Sequence, residues 1–136
     1  MTAISIPSRS GPTAAAWAGW TLTGLVTAFL IMDGTMKVLQ LPIVVSTTQQ
    51  LGYDPAIILP LGIGILAIAA LYAVPRTAVL GALLLTALLG GTVATHLIAG
   101  NPLVSHALFG VYLGVAAWGG LWLREPRLRA LLPLRL

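Results

Sequence analysis

The sequence predicts an all-α membrane protein, a four-transmembrane-helix antiparallel bundle with both termini in the cytoplasm. Of its 136 residues, 58% are hydrophobic and only 7% are charged. Because an ordinary soluble domain carries about 25% charged residues, this chain cannot cover a water-facing surface. Four apolar runs are long enough to cross a bilayer, and most cations lie at the ends of those runs. A soluble domain and a disordered chain are both excluded.

The four apolar runs define the elements of the predicted bundle. A bilayer core of about 30 Å needs about 20 residues of helix, and backbone groups in lipid must pair within their own segment. We expect spans at about residues 14–38, 56–74, 78–99 and 103–123. Short links around Pro75 and Gly100 make consecutive spans antiparallel, and Thr77 can cap the third span. Residues 1–136 are expected to form a single membrane domain that ends in a basic cytoplasmic tail, 124–136.

The link between the first two spans is longer than the others. It covers Leu39–Asp54 and begins with the apolar sequence LQLPIVV. One interpretation is a short interfacial helix that begins at Pro42 and is stopped by Gly52, since proline suits a first helical turn and glycine ends helices. A plain loop is the other interpretation.

The distribution of cations predicts the orientation of the chain in a bacterial inner (plasma) membrane. Lysine and arginine are enriched on the cytoplasmic side of membrane spans. In the four-span arrangement Lys37 alone falls on one side, and the other six fall opposite, namely Arg9, Arg76, Arg124, Arg127, Arg129 and Arg135. Both termini should therefore be cytoplasmic. Five aromatic anchors are expected near the cytoplasmic helix ends: Trp17, Trp20, Tyr72, Trp118 and Trp122.

Several classes of function are excluded or not expected. Nucleic-acid binding needs a basic patch on a soluble face, whereas these cations flank apolar runs. The chain has no cysteine, which excludes disulfides, thiol redox chemistry and cysteine-ligated clusters. We expect no metal site, since His-x-x-x-His and Glu-x-x-His spacings are absent. Haem is not expected either, because ligands on adjacent hairpin helices lie too close together to hold it from both faces.

Glycines within the spans predict where helices approach one another closely. Gly110 and Gly114 form a GxxxG pattern in the fourth span. Similar roles are expected for Gly19, Gly24, Gly62, Gly64, Gly90 and Gly91. These Gly-rich faces serve either packing within one bundle or a seam between copies in a homo-oligomer.

Four ionisable side chains are candidates for ligand binding or proton handling, because charges and imidazoles within spans are costly. They are Asp33, Lys37, His96 and His106, and all four belong to the non-cytoplasmic end of the bundle. Asp33 and Lys37 are four residues apart and can pair on one helix face. They form either a helix-end ion pair or, with Asp33 about one turn deeper, part of a polar cavity.

The two histidines lie five residues before and five residues after Asn101. In a tight antiparallel hairpin this spacing places them at equal depth on neighbouring helices. His106 is expected to point inward, since it shares a stripe with Gly110 and Gly114. Each imidazole either fastens the hairpin through a hydrogen bond across it or contributes to a ligand site.

Four further residues are candidates for the rim of such a site: Tyr53, Asp54, Asn101 and Ser105. For Tyr53 and Asp54 the alternative roles are interfacial anchoring and loop solvation. Ser105 is not expected to form a nucleophile pair with His106, because adjacent helical residues point in different directions.

Four stretches of the chain carry a family resemblance. They are DGTMK (33–37), LGY (51–53), YAVPRTAVLGALLLTALLGGTVATHL (72–97) and NPLVSHALFGVYLGVAAWGGLWLR (101–124). Through them the chain resembles the DoxX-like family over about residues 17–132. The resemblance assigns no role to the residues that match its motif, which are Asp33, Lys37, Arg76, His96, Pro102, Ser105 and His106.

The resemblance implies four membrane helices and an association with membrane oxidoreductases. The family name derives from the small subunit of an archaeal thiosulfate:quinone oxidoreductase, and some relatives are described as parts of membrane oxidoreductase complexes. A quinone ligand and an oxidoreductase partner subunit are therefore what the resemblance implies. Where the family's function involves thiol redox work, this chain departs from it, since it has no cysteine.

Three functional hypotheses remain open. The first is an accessory or ligand-binding subunit that holds a lipophilic molecule, such as a quinone, at the outer mouth of the bundle or supports a partner redox enzyme. The second is a small membrane enzyme in which Asp33 and a histidine perform acid–base chemistry on a lipophilic substrate. The third is a structural or chaperone-like membrane protein, which predicts no cavity.

Overall fold

The computed structural model describes residues 11–132, and over this range all regular secondary structure is helical, without a strand. The helices are α1 (Ala14–Val38), α2 (Pro42–Gln50), α3 (Ile58–Ala73), α4 (Ala78–Ile98), α5 (Phe109–Arg124) and α6 (Pro126–Leu131). Four of them, α1, α3, α4 and α5, are long and apolar enough to cross a membrane when the single turns before α3 and α5 are included. The predicted all-α, four-span fold class is confirmed. Two cations used to predict orientation, Arg9 and Arg135, lie outside the described residues.

The four spans form a closed ring around one apolar core. Each span packs against the preceding one, and α5 returns to pack along α1. The core is built from one buried face of each span, including Val26, Leu30, Ile65, Ala69, Tyr72, Leu85, Leu89, Ala117 and Leu121. Large apolar side chains on the opposite faces, such as Leu25, Ile63, Leu83 and Val115, are exposed. That outer surface matches the hydrocarbon of a bilayer, which is as apolar as leucine.

The long link after α1 contains a short helix, which was one of the two interpretations of its sequence. Helix α2 begins with Pro42 in its first turn and ends at Gln50, two residues before Gly52. Gly52 has a φ of +84°, in the left-handed region that glycine adopts at helix ends. No residue of α2 is buried, so this helix lies on the surface of the bundle.

The prediction that the Thr77 side chain caps the third span is wrong. Thr77 does occupy the position before α4, but its side chain makes no capping hydrogen bond. Its hydroxyl instead donates to the Leu71 carbonyl oxygen over 2.8 Å. The turn between α3 and α4 is so tight that the end of α3 lies within reach, and the hydroxyl therefore ties the turn to the helix that precedes it.

The fourth span begins differently from the regular helix that the sequence predicts. Residues Leu103–Ala107 form a widened π-type turn, and the α-helix proper starts at Phe109. The Leu108 amide donates to the Leu103 carbonyl over 2.8 Å, five residues back rather than four. A π-turn inserts one extra residue into the helical register. Side chains before and after it therefore no longer share the face that an α-helix would give them.

Glycines mark the crossing points of the ring, although not all of those predicted do so. A Cβ atom added at Gly62 would lie 2.8 Å from the Lys37 Cβ, and one at Gly19 would lie 2.7 Å from the Gly120 carbonyl oxygen. Gly110 is similarly close to α4, whereas Gly114 makes only an ordinary contact. Packing within the bundle is not the role of the glycines that face open space: Gly24, Gly64, Gly90 and Gly91. Close contacts at Gly34, Gly81 and Gly120 were not predicted.

The two ends of the bundle differ in chemistry. At one end the Arg124 guanidinium lies 4.3 Å over the Trp20 ring and 5.9 Å from the Tyr72 ring centre. These contacts join the start of α1 to the ends of α3 and α5. The opposite end carries α2, the last turns of α1 and α4, and the π-turn before α5. All four candidate ionisable residues lie at this second end.

Candidate functional site

Asp33 and Lys37 form an ion pair at the end of α1. The Lys37 ammonium donates a hydrogen bond to Asp33 Oδ1, one helical turn away. The Asp33 side chain is 32% exposed and the Lys37 side chain is 19% exposed. Both residues line a cavity between the spans. The two interpretations of the sequence therefore coincide, since the residues pair with each other and face a common cavity.

His96, in the last turn of α4, lines the same cavity and is half-buried. Its Nδ1 atom lies 2.8 Å from the Asn101 side-chain nitrogen. The Asn101 backbone N–H also donates to the His96 carbonyl oxygen over 3.0 Å, so the short α4–α5 link folds back onto this histidine. Three of the four candidate residues thus meet at one cavity.

His106 does not join them, and the prediction that it points inward is wrong. It is exposed on the π-turn and is not among the residues that line the cavity. The reason is the extra residue in that turn, which rotates His106 off the stripe of Gly110. The expectation that the two histidines lie side by side is met, because their ring centres are 5.8 Å apart in an edge-on arrangement.

Ser105 and His106 make a contact that the sequence argument excluded. The Ser105 Oγ atom lies 2.7 Å from the His106 Nδ1 atom. Neighbouring side chains diverge in a regular α-helix, but the wider π-turn brings this pair together. Both residues are exposed and neither lines the cavity. The contact is therefore a local one on the outer surface of the turn.

Of the four candidate rim residues, Tyr53 alone lines the cavity. Its hydroxyl lies 2.7 Å from the Thr95 hydroxyl and so joins the segment after α2 to α4. The Asp54 carboxylate caps the turn before α3 by accepting from the Ala56 amide over 2.8 Å. Asn101 contacts His96 from outside, and Ser105 contacts His106.

The cavity itself has a volume of about 670 Å³ and is mainly apolar. Phe29 of α1 and Phe109 of α5 form part of its wall, with ring centres 5.3 Å apart. Val44 of α2 and Leu51, which follows α2, line its outer side. A purely structural protein was expected to have no cavity, so this finding counts against the third hypothesis.

Four threonines also line the cavity near its ionisable residues. Thr92 and Thr95 on α4 both line it, as do Thr47 and Thr48 on α2. Thr92, Thr95 and His96 have the i, i+3, i+4 spacing that places residues on one helix face. That spacing would have identified Thr95. Nothing in the sequence indicates that α2 folds over the same cavity.

The polar groups of the site are engaged in pairs. Asp33 is bonded to Lys37 and His96 to Asn101, and among residues 11–132 neither imidazole hydrogen-bonds to Asp33. The acid–base hypothesis requires such a bond or a substrate between the two groups. Within the same range no three histidine or carboxylate side chains are grouped so that they could hold a metal ion.

A second, smaller cavity lies on the outer surface between α4 and α5. It has a volume of about 450 Å³ and is lined by Gly90, Gly110 and Gly114 among others. At one end the Trp118 indole donates to the Thr86 hydroxyl over 2.8 Å. This groove is the Gly-rich face for which the sequence left both intramolecular packing and self-association open.

Four apolar helices in a ring, with one polar-ended cavity among them, define a small helical multi-pass membrane protein. The chain belongs to the DoxX-like family, whose model matches residues 21–120. The matched region begins within α1 and ends within α5, so it contains every residue that lines the main cavity. No curated protein and no solved structure matches the chain.

Proposed function

We propose that this DoxX-like protein binds a lipophilic small molecule in the cavity between its spans, as an accessory or ligand-binding subunit. The observation that carries the proposal is the cavity of about 670 Å³ in which Asp33, Lys37 and His96 meet. Ligand sites in proteins are typically about 300–1,000 Å³, mainly apolar, with a few polar groups that orient the ligand. This cavity has all three properties.

The position of the cavity favours a ligand that partitions into the membrane. Its walls are formed by the membrane spans, and its polar end lies where α1 and α4 end, beneath the surface helix α2. A molecule with an apolar body and one polar head would match that distribution. A quinone has this character, and an oxidoreductase subunit would be the corresponding protein partner.

The proposed setting is a bacterial inner membrane with both termini in the cytoplasm. The cationic end of the bundle, with Arg76, Arg124, Arg127 and Arg129, would then face the cytoplasm. The cavity and α2 would face the opposite side. A ligand would reach the site from the outer leaflet or from the space beyond it.

Two adjacent glycines of α4 provide a test of the cavity. Gly91 lines the main cavity and Gly90 lines the outer groove, and a side chain added at either would meet open space. We expect Gly91→Leu to fill the ligand space and Gly90→Leu to leave it open. Native mass spectrometry of detergent-purified protein, with decylubiquinone added as a probe, should show bound small molecules in the wild type and in Gly90→Leu. Gly91→Leu should lose most of them.

Helix content measured by circular dichroism provides the folding control for both variants. Equal occupancy in Gly90→Leu and Gly91→Leu would contradict binding in this cavity. So would a wild-type protein that carries neither a co-purified molecule nor the added decylubiquinone.

A further inference from the structure

The polar end of the main cavity carries information about the head group of the ligand. On the basis of the proposed function, we infer that the cavity selects an uncharged head that accepts hydrogen bonds, such as a carbonyl oxygen. We also infer that Asn101 acts as a positioning residue by holding His96 in the tautomer that donates into the site. The inference follows from the charges of the residues that line the cavity and from the N–H protons of Lys37 and His96 that have no partner among the described residues.

The charges at the site cancel. Among residues 11–132, Asp33 and Lys37 are the only carboxylate and ammonium groups that line the cavity, and they are paired with each other. A charged head would therefore have to lose its hydration without a free counter-ion, which is costly in apolar surroundings. An uncharged head avoids that cost.

Three of the four threonine hydroxyls of the cavity wall donate within their own helices, and the fourth, on Thr95, shares a hydrogen bond with the Tyr53 hydroxyl. Thr47 donates to the Ile43 carbonyl over 2.7 Å, and Thr48 donates to the Val44 carbonyl over 2.8 Å. Thr92 likewise donates to a carbonyl of its own helix over 3.2 Å. Because these donors are used within the helices, they are not available to a ligand.

Lys37 and His96 retain protons with no partner among the described residues. An ammonium group has three donors, and Lys37 uses one of them on Asp33. The Asn101 side-chain nitrogen can only donate, so His96 Nδ1 must accept, and the proton of this neutral imidazole is on Nε2. A hydrogen-bond donor on the protein is complemented by an acceptor on the ligand. The site is therefore completed by an acceptor rather than by another donor.

The head-group preference can be measured with three probes that share one dodecyl chain: a methyl ketone, a carboxylate and a primary amine. Equilibrium dialysis against detergent-solubilised protein gives the affinity for each. We expect the ketone to bind about tenfold more tightly than the other two, as expected for one additional well-formed hydrogen bond. His96→Phe should remove most of that preference. His106→Phe, which changes the imidazole outside the cavity, should leave it intact.

The role of Asn101 has a spectroscopic readout. The chain has two histidines, so in the His106→Phe background the imidazole nitrogen signals belong to His96 alone. We expect ¹⁵N NMR to show a protonated Nε2 and an unprotonated Nδ1. Asn101→Ala should restore a mixture of tautomers and lower the ketone affinity without changing the helix content.

The outcomes separate this inference from the proposed function. If all three probes bind equally well and Gly91→Leu displaces them, the head-group inference fails while the cavity remains a binding site. If none binds to the wild type, both fail. A ketone preference that survives His96→Phe, or a His96 proton on Nδ1 in the presence of Asn101, would overturn the assignment of the donor.

Discussion

Tyr72 shows how a single polar group can hold the ring of spans together. Its side chain is fully buried, and its hydroxyl donates to the Ala117 carbonyl oxygen over 2.7 Å. Tyr72 lies in the last turn of α3 and Ala117 lies on α5, two helices that face each other across the ring. Within an apolar core such a bond has few competing partners, although hydrogen bonds between membrane helices average only about 0.6 kcal/mol.

Removing this hydroxyl should weaken the bundle measurably. We expect Tyr72→Phe to lower the free energy of unfolding by about 0.5–1.5 kcal/mol, because the ring remains and one buried hydrogen bond is lost. Thermal or denaturant unfolding in detergent measures the change. Tyr112→Phe is the matched control, since Tyr112 is 51% exposed. Equal effects of the two substitutions would show that the Tyr72 hydroxyl makes no special contribution.

At the residue scale, the histidines also show what sequence spacing can and cannot predict. Their proximity was predicted from a symmetric position about Asn101, and the 5.8 Å between the rings agrees with it. Their burial was not predictable in the same way. A single π-turn before α5 leaves His106 outside while His96 lines the cavity, and no residue type in LVSHA specifies that turn.

Glycine allows the helices of this protein to approach one another closely at their crossing points. Along α3, Gly62 packs against Lys37 and Val38 of α1, whereas Gly64 faces open space. This contact is adjacent to the Asp33–Lys37 pair, so helix packing and the geometry of the site are linked at this crossing. Small residues are expected at such points because dispersion and close backbone approach drive helix association in lipid.

The two glycines of α3 therefore make a matched pair of substitutions. Gly62→Ala adds a Cβ 2.8 Å from the Lys37 Cβ and 2.9 Å from the Val38 nitrogen, a contact that forces α1 and α3 apart. We expect it to cost about 1–3 kcal/mol of stability, the usual range for overpacking. Gly64→Ala should be neutral or stabilise by up to about 1 kcal/mol through helix propensity. Unfolding in detergent distinguishes the two, and the reverse order would contradict the crossing.

Helix α2 is the element whose position matters most for the site. Local sequence allowed this helix beside a plain loop, since Pro42 suits a helix start and Gly52 a helix stop. Its placement over the cavity depends instead on contacts distant in sequence, such as the hydrogen bond between Tyr53 and Thr95. For that reason Thr47 and Thr48 could not be identified as lining residues from the sequence alone.

At the scale of the whole molecule, the proposed orientation across the membrane can be tested by thiol labelling. The chain contains no cysteine, so a single introduced thiol can be labelled without background. Ser105 and Arg127 are both exposed and lie at opposite ends of the bundle. We expect a membrane-impermeant maleimide to label Ser105→Cys in intact spheroplasts, and Arg127→Cys only after the membrane is permeabilised.

This pattern is expected because cationic ends are retained in the cytoplasm. Labelling of Arg127→Cys in intact spheroplasts, with Ser105→Cys protected, would reverse the proposed orientation. In that case the cavity would open toward the cytoplasm, and the head-group inference would still stand, since it depends on the site and not on the side.

The sequence by itself determined the all-helical class and the four spans, and it placed Asp33 and Lys37 where they can pair. These features depend on residues within a few turns of one another, where the demand for backbone pairing in lipid leaves helix as the only solution. Tertiary structure alone decided which ionisable groups share a cavity, which glycines meet a neighbour and what covers the site. Those outcomes depend on the rotation of each helix about its axis. One extra residue in a turn can change that rotation, and local sequence does not encode it.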